Sequence, residues 1–395
     1  MTMRLSQRAQ QVAPSATFQT AQRAQELQAA GIDVLNLSVG QPDFTTPTAI
    51  KSATIAAIQA NEVDGYTATA GILPLRQAIV DRLSQTQQVT VTPQQVVVTT
   101  GAKMALYALF QVLLDPGDAV LLPAPYWVSY SEQVKLAGGQ PIEVDPTADL
   151  KVTPAQLEAA VTPKTKAIVL NSPQNPSGLV YTPAELTALG DWAVAHQLII
   201  VADEIYGELV YDRPTPVPSM LSLGDKIAAH TVMINGVSKT YAMTGWRIGY
   251  AVGQPDIISA MTTVLSHMTG NAAAVSQAAA LAALTGDQTP VAEMKAAFQQ
   301  RLDRIYPLLA AVPGVKLNHK PQGAFYLFPD VSAAMAMKGI TTTSDFVAAV
   351  LNEAHVALVT GSAFGLPGHV RLSYAADLAT LLSAIERLTK FMTTP

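Results

Sequence analysis

The sequence predicts an α/β fold, a large domain with a mainly parallel sheet plus a smaller α/β domain, on three observations. Between about residues 47 and 284, short apolar runs alternate with helical stretches, which is the pattern of a parallel sheet covered on both faces. Several runs are apolar throughout, as strands buried on both faces must be. The best-formed runs end in polar residues, and ligands of such sheets bind beyond the carboxyl ends of the strands.

The expected strands lie near Val96, Val120, Ile168, Ile199, Val232 and Ile248. Val96-Val97-Val98-Thr99 runs into Gly101-Ala102-Lys103. A glycine at a strand-to-helix turn leaves backbone N–H groups at a helix N-terminus, where an anion is favoured. Ala167-Ile168-Val169-Leu170 is followed by Asn171-Ser172-Pro173-Gln174-Asn175-Pro176-Ser177-Gly178, a loop stiffened by two prolines. There Asn175 offers both an amide donor and a carbonyl acceptor, although the loop can equally be a plain turn.

Leu198-Ile199-Ile200-Val201-Ala202 is unbroken and ends in Asp203, with Tyr206 three positions on. Asp203 either points at a ligand or caps the next helix. After Val232-Met233-Ile234 come Ser238-Lys239 and, eight residues beyond the lysine, Arg247. An amine is a useful nucleophile once its pKa falls below about 10.4, which burial and neighbouring positive charge both favour. Most lysines after strands are solvated surface groups, so Lys239 draws its meaning from its company. With Ser238 and Arg247 it can hold an aldehyde as a Schiff base together with that aldehyde's phosphate. Asp203 would keep a pyridine nitrogen protonated, and Tyr206 would reach the ring's phenolic oxygen. Those are the requirements of pyridoxal phosphate.

The remaining sequence, residues 1–46 with 285–395, holds strands near Phe325-Tyr326-Leu327-Phe328 and Val356-Ala357-Leu358-Val359 between helices. It reads as a smaller α/β domain assembled from both chain ends, beside a large domain over 47–284. Arg371 lies in this part and Lys239 in the other, and a site that drew on both would lie between domains that close on substrate. Gly361-Ser362-Ala363-Phe364-Gly365 is either a flexible rim of that cleft or a surface turn.

The Ser238–Gly249 string, the Asp203–Tyr206 segment and the Asn175–Gly178 loop occur with Pro125-Tyr126-Trp127, Val39-Gly40-Gln41-Pro42-Asp43 and His369-Val370-Arg371-Leu372-Ser373. In this order, over nearly the whole chain, they resemble class I pyridoxal-phosphate-dependent aminotransferases of fold type I, in the aspartate/prephenate branch. The resemblance implies a seven-stranded, mainly parallel sheet in the large domain. It implies that Lys239 carries the cofactor and moves the proton at the substrate α carbon, with Asp203 on the pyridine nitrogen and Tyr206 and Asn175 on the ring oxygen. Ser238, Arg247 and the Gly101-Ala102-Lys103 turn would hold the phosphate, and Trp127 would stack on the ring. Tyr66 would reach the cofactor of a neighbouring subunit, which implies a homodimer with shared active sites.

For the substrates, an amino acid and a 2-oxo acid, the resemblance assigns the α-carboxylate to a bidentate Arg371 and to the Gly40 backbone, beside Trp127 and Asn175. Lys103 would take the distal carboxylate of a dicarboxylic substrate, or else only support the phosphate. Ser15 and Thr17 lie in a segment expected to fold over the site. Ala13 stands where several relatives carry a basic residue, so L-aspartate with 2-oxoglutarate is expected ahead of aromatic amino acids or prephenate.

Composition excludes other classes. With 395 residues, 49% hydrophobic and 13% charged, the chain can bury a large core. A net charge of -5 offers no basic field for nucleic acid. There is no cysteine, and the six histidines lack ligand spacing, so no metal site is expected. The N-terminal stretch has no continuous apolar segment, and Ala272–Leu284 is too short to cross a bilayer. A soluble, cytoplasmic protein without membrane or nucleic-acid partners is expected. On the same cofactor, a carbon–sulfur β-lyase, a racemase or a decarboxylase would keep Lys239, Asp203 and Arg247. A regulatory protein that holds the cofactor without turnover would want a DNA-binding segment, for which no basic stretch is found.

Overall fold

The computed structural model describes residues 5–211 and 217–394, so the outermost residues of the expected domain division, 1–4 and 395, lie outside the described residues. Helix Ala16–Ala29 leads into a two-residue strand, β1 (Leu35–Asn36), which precedes the main sheet. That sheet contains β2 (Val96–Thr99), β3 (Ala119–Pro123), β4 (Gln140–Val144), β5 (Thr165–Asn171), β6 (Ile199–Asp203), β7 (Thr231–Gly236) and β8 (Gly249–Val252), in the order β2-β8-β7-β6-β5-β3-β4. Only β8 runs antiparallel to its neighbours; the pairs from β7 across to β4 are parallel.

Helices on both faces explain the unbroken apolar strands. On one face, helix Ala102–Leu113 buries Ala105, Leu106, Ala108, Leu109 and Phe110, at i, i+3 and i+4 spacing, against Val97, Val120 and Ile234. On the other, Leu186, Leu189 and Trp192 of helix Pro183–Ala195 pack on Leu121, Ile168 and Ile200. Each such side chain contributes roughly 1.5–3 kcal/mol when fully buried. The strand that residue patterns alone did not locate is β4, Gln140-Pro141-Ile142-Glu143-Val144. It is an edge strand in which only Val144 is buried, and edges tolerate the proline and charge that argue against a central strand.

A second core lies beyond this sheet. There β9 (Tyr326–Leu327), β11 (Val359–Thr360) and β12 (Val370–Ser373) form an antiparallel sheet in the order β11-β12-β9, while β10 (Val356–Ala357) pairs parallel with β1. Helices Thr289–Ala310 and Leu378–Thr393 cover it with Phe298, Leu302, Ile305, Leu381, Ile385 and Leu388. The same core takes in Leu37 from the N-terminal region and Ile205, Tyr206, Leu209 and Tyr211 from the segment after β6. The Asp203 strand end is thereby tied to both cores.

Residues 361–365 are neither a flexible rim nor a surface turn. Gly361–Phe364 is a 3-10 helix with Gly361 and Phe364 buried, and the Phe364 carbonyl accepts from the Tyr126 N–H at 3.0 Å. Among the described residues no helix is long and apolar enough to cross a membrane.

Candidate active site

A cavity of ≈ 360 Å³ beside the Lys103 turn is bordered by Tyr107, Glu132 and Gln133, but the larger one, ≈ 580 Å³, opens at the carboxyl ends of the strands. Its lining includes Ser15, Thr17, Gly40, Ala102, Lys103, Trp127, Asn175, Asp203, Tyr206, Ser238, Lys239, Arg247 and Arg371, so most of the residues singled out in the sequence converge there. Gly101 stands just behind as the N-cap of helix Ala102–Leu113. Tyr66 does not join them: it is fully exposed and outside the lining.

Two glycines shape the turn beneath Lys103. Gly101 has φ +80°, and a Cβ there would collide with the Arg247 guanidinium. Gly249 at the start of β8 lets the Gly101–Ala102 backbone pass against it, where a Cβ would strike the Ala102 nitrogen. Arg247, itself in the left-handed region at φ 57°, donates from Nη1 to the Thr244 carbonyl at 2.9 Å and borders the cavity with Ser238 and Ala102. A hydroxyl, a guanidinium and a helix N-terminus make one end of the cavity suited to a phosphate.

Lys239 donates from Nζ to the Gly40 carbonyl at 2.6 Å. Burial, followed by the nearby charges of Arg371, Arg247 and Lys103, brings its pKa down to about 8 against the opposing pull of Asp203. Asp203 is buried, which pushes its carboxyl up, but the Tyr130 hydroxyl donates to Oδ2 at 2.6 Å and the Ile205 N–H to Oδ1 at 3.2 Å. Among the described residues no helix directly follows β6, so Asp203 caps none: its Oδ1 takes only the N–H of the turn residue Ile205, and the residue borders the cavity. Tyr206 bonds the hydroxyl of Tyr326 at 2.8 Å.

Arg371 lies inside β12 and is 1% exposed. It donates from Nη1 to Asn175 Oδ1 at 3.0 Å and from Nη2 to the Ser38 carbonyl at 2.6 Å, while Nε is buried without a partner. The loop that holds Asn175 is braced by Asn171, whose Oδ1 accepts the Asn175 N–H at 2.8 Å. Among the described residues no carboxylate pairs with Arg371. A buried cation without a counter-ion is costly unless a ligand supplies one. Lys103 is likewise without a carboxylate; its ammonium lies 4.9 Å from the Trp127 ring centroid and 5.7 Å from that of Phe18, and burial and then Arg247 lower its pKa. Above it, Thr17 Oγ1 is buried and unpartnered, and the arm that carries it is held by the Ala13 N–H donating to Glu132 at 2.8 Å. The donor set fits a phosphorylated pyridine aldehyde: an amine of lowered pKa, a carboxylate at depth, a phosphate corner and unpaired cations for a substrate.

Tyr130, Tyr326, Phe18 and the Ser38 carbonyl also border or brace the site, and sequence reasoning did not single them out for it. Tyr130 and Tyr326 sit in apolar surroundings typical of core tyrosines, so only their partners show what they do.

One residue beyond Asp203, Glu204 is half-buried outside the cavity lining and accepts from the Ser219 hydroxyl and the Met220 N–H, each at 2.9 Å. Burial pushes its pKa up from the ordinary 4.5 to about 7, over the opposing effect of those bonds. The folded chain keeps this proton through a range where the unfolded chain has lost it. The stability it contributes is complete below about pH 4.5 and is lost as pH rises through about 7. Glu204→Gln is expected to match the parent chain at about pH 5 and to exceed it by about 3 kcal/mol above pH 7. Urea unfolding of both chains across this range checks it; a constant difference would contradict the assignment.

The fold and this cavity define a group-transfer enzyme that handles amines and carboxylates. Residues 32–388 match the family described as aminotransferase class I and II, and the chain belongs to that family. It is 50% identical over 392 residues to an aspartate aminotransferase of Geobacillus stearothermophilus, covering 99% of each chain. An asparagine–oxo-acid transaminase of Streptococcus mutans is 48% identical, with 98% of this chain and 99% of that one covered. The crystal structure of the aspartate aminotransferase from Rhizobium meliloti superposes with a TM-score of 0.94 at 36% identity, covering 99% of both chains.

Proposed function

We propose that this aminotransferase transfers the amino group of L-aspartate to 2-oxoglutarate, giving oxaloacetate and L-glutamate, with pyridoxal phosphate bonded to Lys239. The observation that carries the reading is the buried, unpaired Arg371 facing, across one cavity, a lysine whose pKa falls to about 8. When bound, the cofactor supplies an electron sink for the bond broken at the substrate α carbon. Ser238, Arg247 and the Gly101–Lys103 turn would hold its phosphate, Asp203 would hold the proton on its ring nitrogen, and Tyr206 and Asn175 would donate to its ring oxygen. Trp127 covers the ring.

Arg371 receives the α-carboxylate as two parallel N–H bonds, and the Gly40 backbone borders the same group. Lys239 Nζ takes the α proton and later returns one. Its Gly40 contact ties the lysine to the segment that closes over the substrate. Residues 47–284 act as the cofactor domain, and 1–46 with 285–395 as the smaller domain whose approach, with Ser15 and Thr17 on the arm, excludes water. Two chains pair so that the exposed Tyr66 of each reaches the other's phosphate.

Lys103 selects the side chain. Its ammonium, cushioned by Phe18 and Trp127, meets the distal carboxylate of aspartate. Lys103→Ala is expected to lower kcat/KM for aspartate about 30-fold, a loss of about 2 kcal/mol, and to change that for phenylalanine by less than about threefold. Amino donors supplied singly with 2-oxoglutarate test this. Equal losses for both donors would assign Lys103 to the phosphate. Faster turnover of asparagine than aspartate would move the preference to the amide, as the name of the Streptococcus mutans relative suggests.

A further inference from the structure

Tyr326 occupies a place that the reaction so far described leaves unused. It lies in β9, beside β12, and is 1% exposed, yet it borders the cavity. Three pieces of the site meet on it. Its ring packs under the Arg371 guanidinium at 4.6 Å from the centroid. Its hydroxyl bonds the Tyr206 hydroxyl at 2.8 Å. The same hydroxyl presses so closely on Gly40 that a Cβ there would collide with it, and Gly40 is the residue whose carbonyl accepts from Lys239.

We propose that Tyr326 is a positioning residue that couples carboxylate binding at Arg371 to proton control at Lys239. The inference rests on the aminotransferase reading above. The ring holds the guanidinium in a fixed plane, which a bidentate clamp requires and which Phe364, 5.1 Å away from the same group, supports from another side. The hydroxyl works through Tyr206. With cofactor bound, Tyr206 would donate its hydrogen bond to the ring oxygen, and Tyr326 would then be the donor in the pair. A phenol that accepts one hydrogen bond donates a stronger one, and a stronger donor on the ring oxygen would favour loss of the proton held at the Lys239 nitrogen. The other charged groups that act on Tyr206 and Lys239 are Arg371, Arg247, Lys103 and Asp203, and Tyr326→Phe, which keeps the ring under Arg371, substitutes none of them.

The holoenzyme is titrated across pH by its visible absorbance, with and without maleate, a dicarboxylate that has no amino group to donate. Tyr326→Phe keeps the ring and removes the hydroxyl. It is expected to raise the midpoint of the absorbance change by about 0.5 to 1 pH unit and to leave maleate affinity within about twofold. In a Tyr206→Phe chain the same substitution is expected to add no shift, because the path through Tyr206 is gone. Tyr326→Leu removes the ring and is expected to weaken maleate roughly fivefold. An unmoved midpoint in Tyr326→Phe overturns the proposal, as does an equal shift in the Tyr206→Phe background or undiminished maleate binding in Tyr326→Leu. Those results would leave the aminotransferase reading standing. A parent chain that takes up no cofactor, or whose spectrum ignores maleate, overturns the reading and the proposal together.

Discussion

Lys239→Ala is expected to lower the transamination rate by at least about 10⁴-fold while leaving the chain folded. Two functions are lost with one side chain, the covalent hold on the cofactor and the base that moves the α proton. The surroundings show why lysine serves here. Burial first, then three neighbouring cations, bring its pKa to about 8, so a substantial share of the free amine is neutral near physiological pH. An exposed lysine would be almost wholly protonated there. Among the described residues Nζ makes one hydrogen bond, to the Gly40 carbonyl, so alanine gives up one modest interaction and the fold should persist. The check is reductive trapping: the parent chain mixed with pyridoxal phosphate and borohydride should be labelled on Lys239 and the variant should not. The labelling rate should rise with pH and level off above about 8, because the ammonium must lose its proton first. Retained turnover in the variant would remove Lys239 from the mechanism.

The residues that carry this chemistry were legible because they sit at the ends of strands whose composition is dictated by burial on both faces. Asp203, Asn175 and Lys239 lie at or just past the ends of runs that had to be apolar, where ligands of such sheets bind, and it is their occurrence together that pointed to a site. The seven-stranded sheet was readable for the same reason, apart from the edge strand β4, where burial imposes no such pattern. Residues whose partners come from distant segments were harder to read. Tyr130 reaches Asp203 across 73 positions, and Tyr326 meets Tyr206 across 120; both look like ordinary core aromatics until the chain is folded. The Gly361–Gly365 segment misled in the opposite sense, since two glycines suggest mobility. In fact Gly361 is glycine because a Cβ would strike the His369 and Leu366 carbonyls, which is close packing rather than freedom.

Arg371→Lys should lower kcat/KM about 10³-fold for every amino donor, whatever its side chain, and this sets it apart from Lys103→Ala. The charge is kept, so the loss measures geometry. A guanidinium presents two parallel N–H donors to a carboxylate, whereas an ammonium offers a point charge on a flexible stem. Two charge-assisted bonds that are no longer made together correspond to roughly 4 kcal/mol, hence the factor. The arginine makes two hydrogen bonds within the fold, to Asn175 and the Ser38 carbonyl, but its charge is left uncompensated. It is buried without a counter-ion, its Nε has no partner, and burial lowers its pKa, so the free protein bears the cost of a cation held ready for a ligand. The variant's Tm is therefore expected to stay within about 3 °C of the parent while activity collapses. Steady-state kinetics with aspartate, glutamate and phenylalanine, run beside thermal melts, separate the cases. A loss confined to dicarboxylic donors would move the α-carboxylate away from Arg371, and a large fall in Tm with proportionate activity would make the arginine a structural residue of the second core.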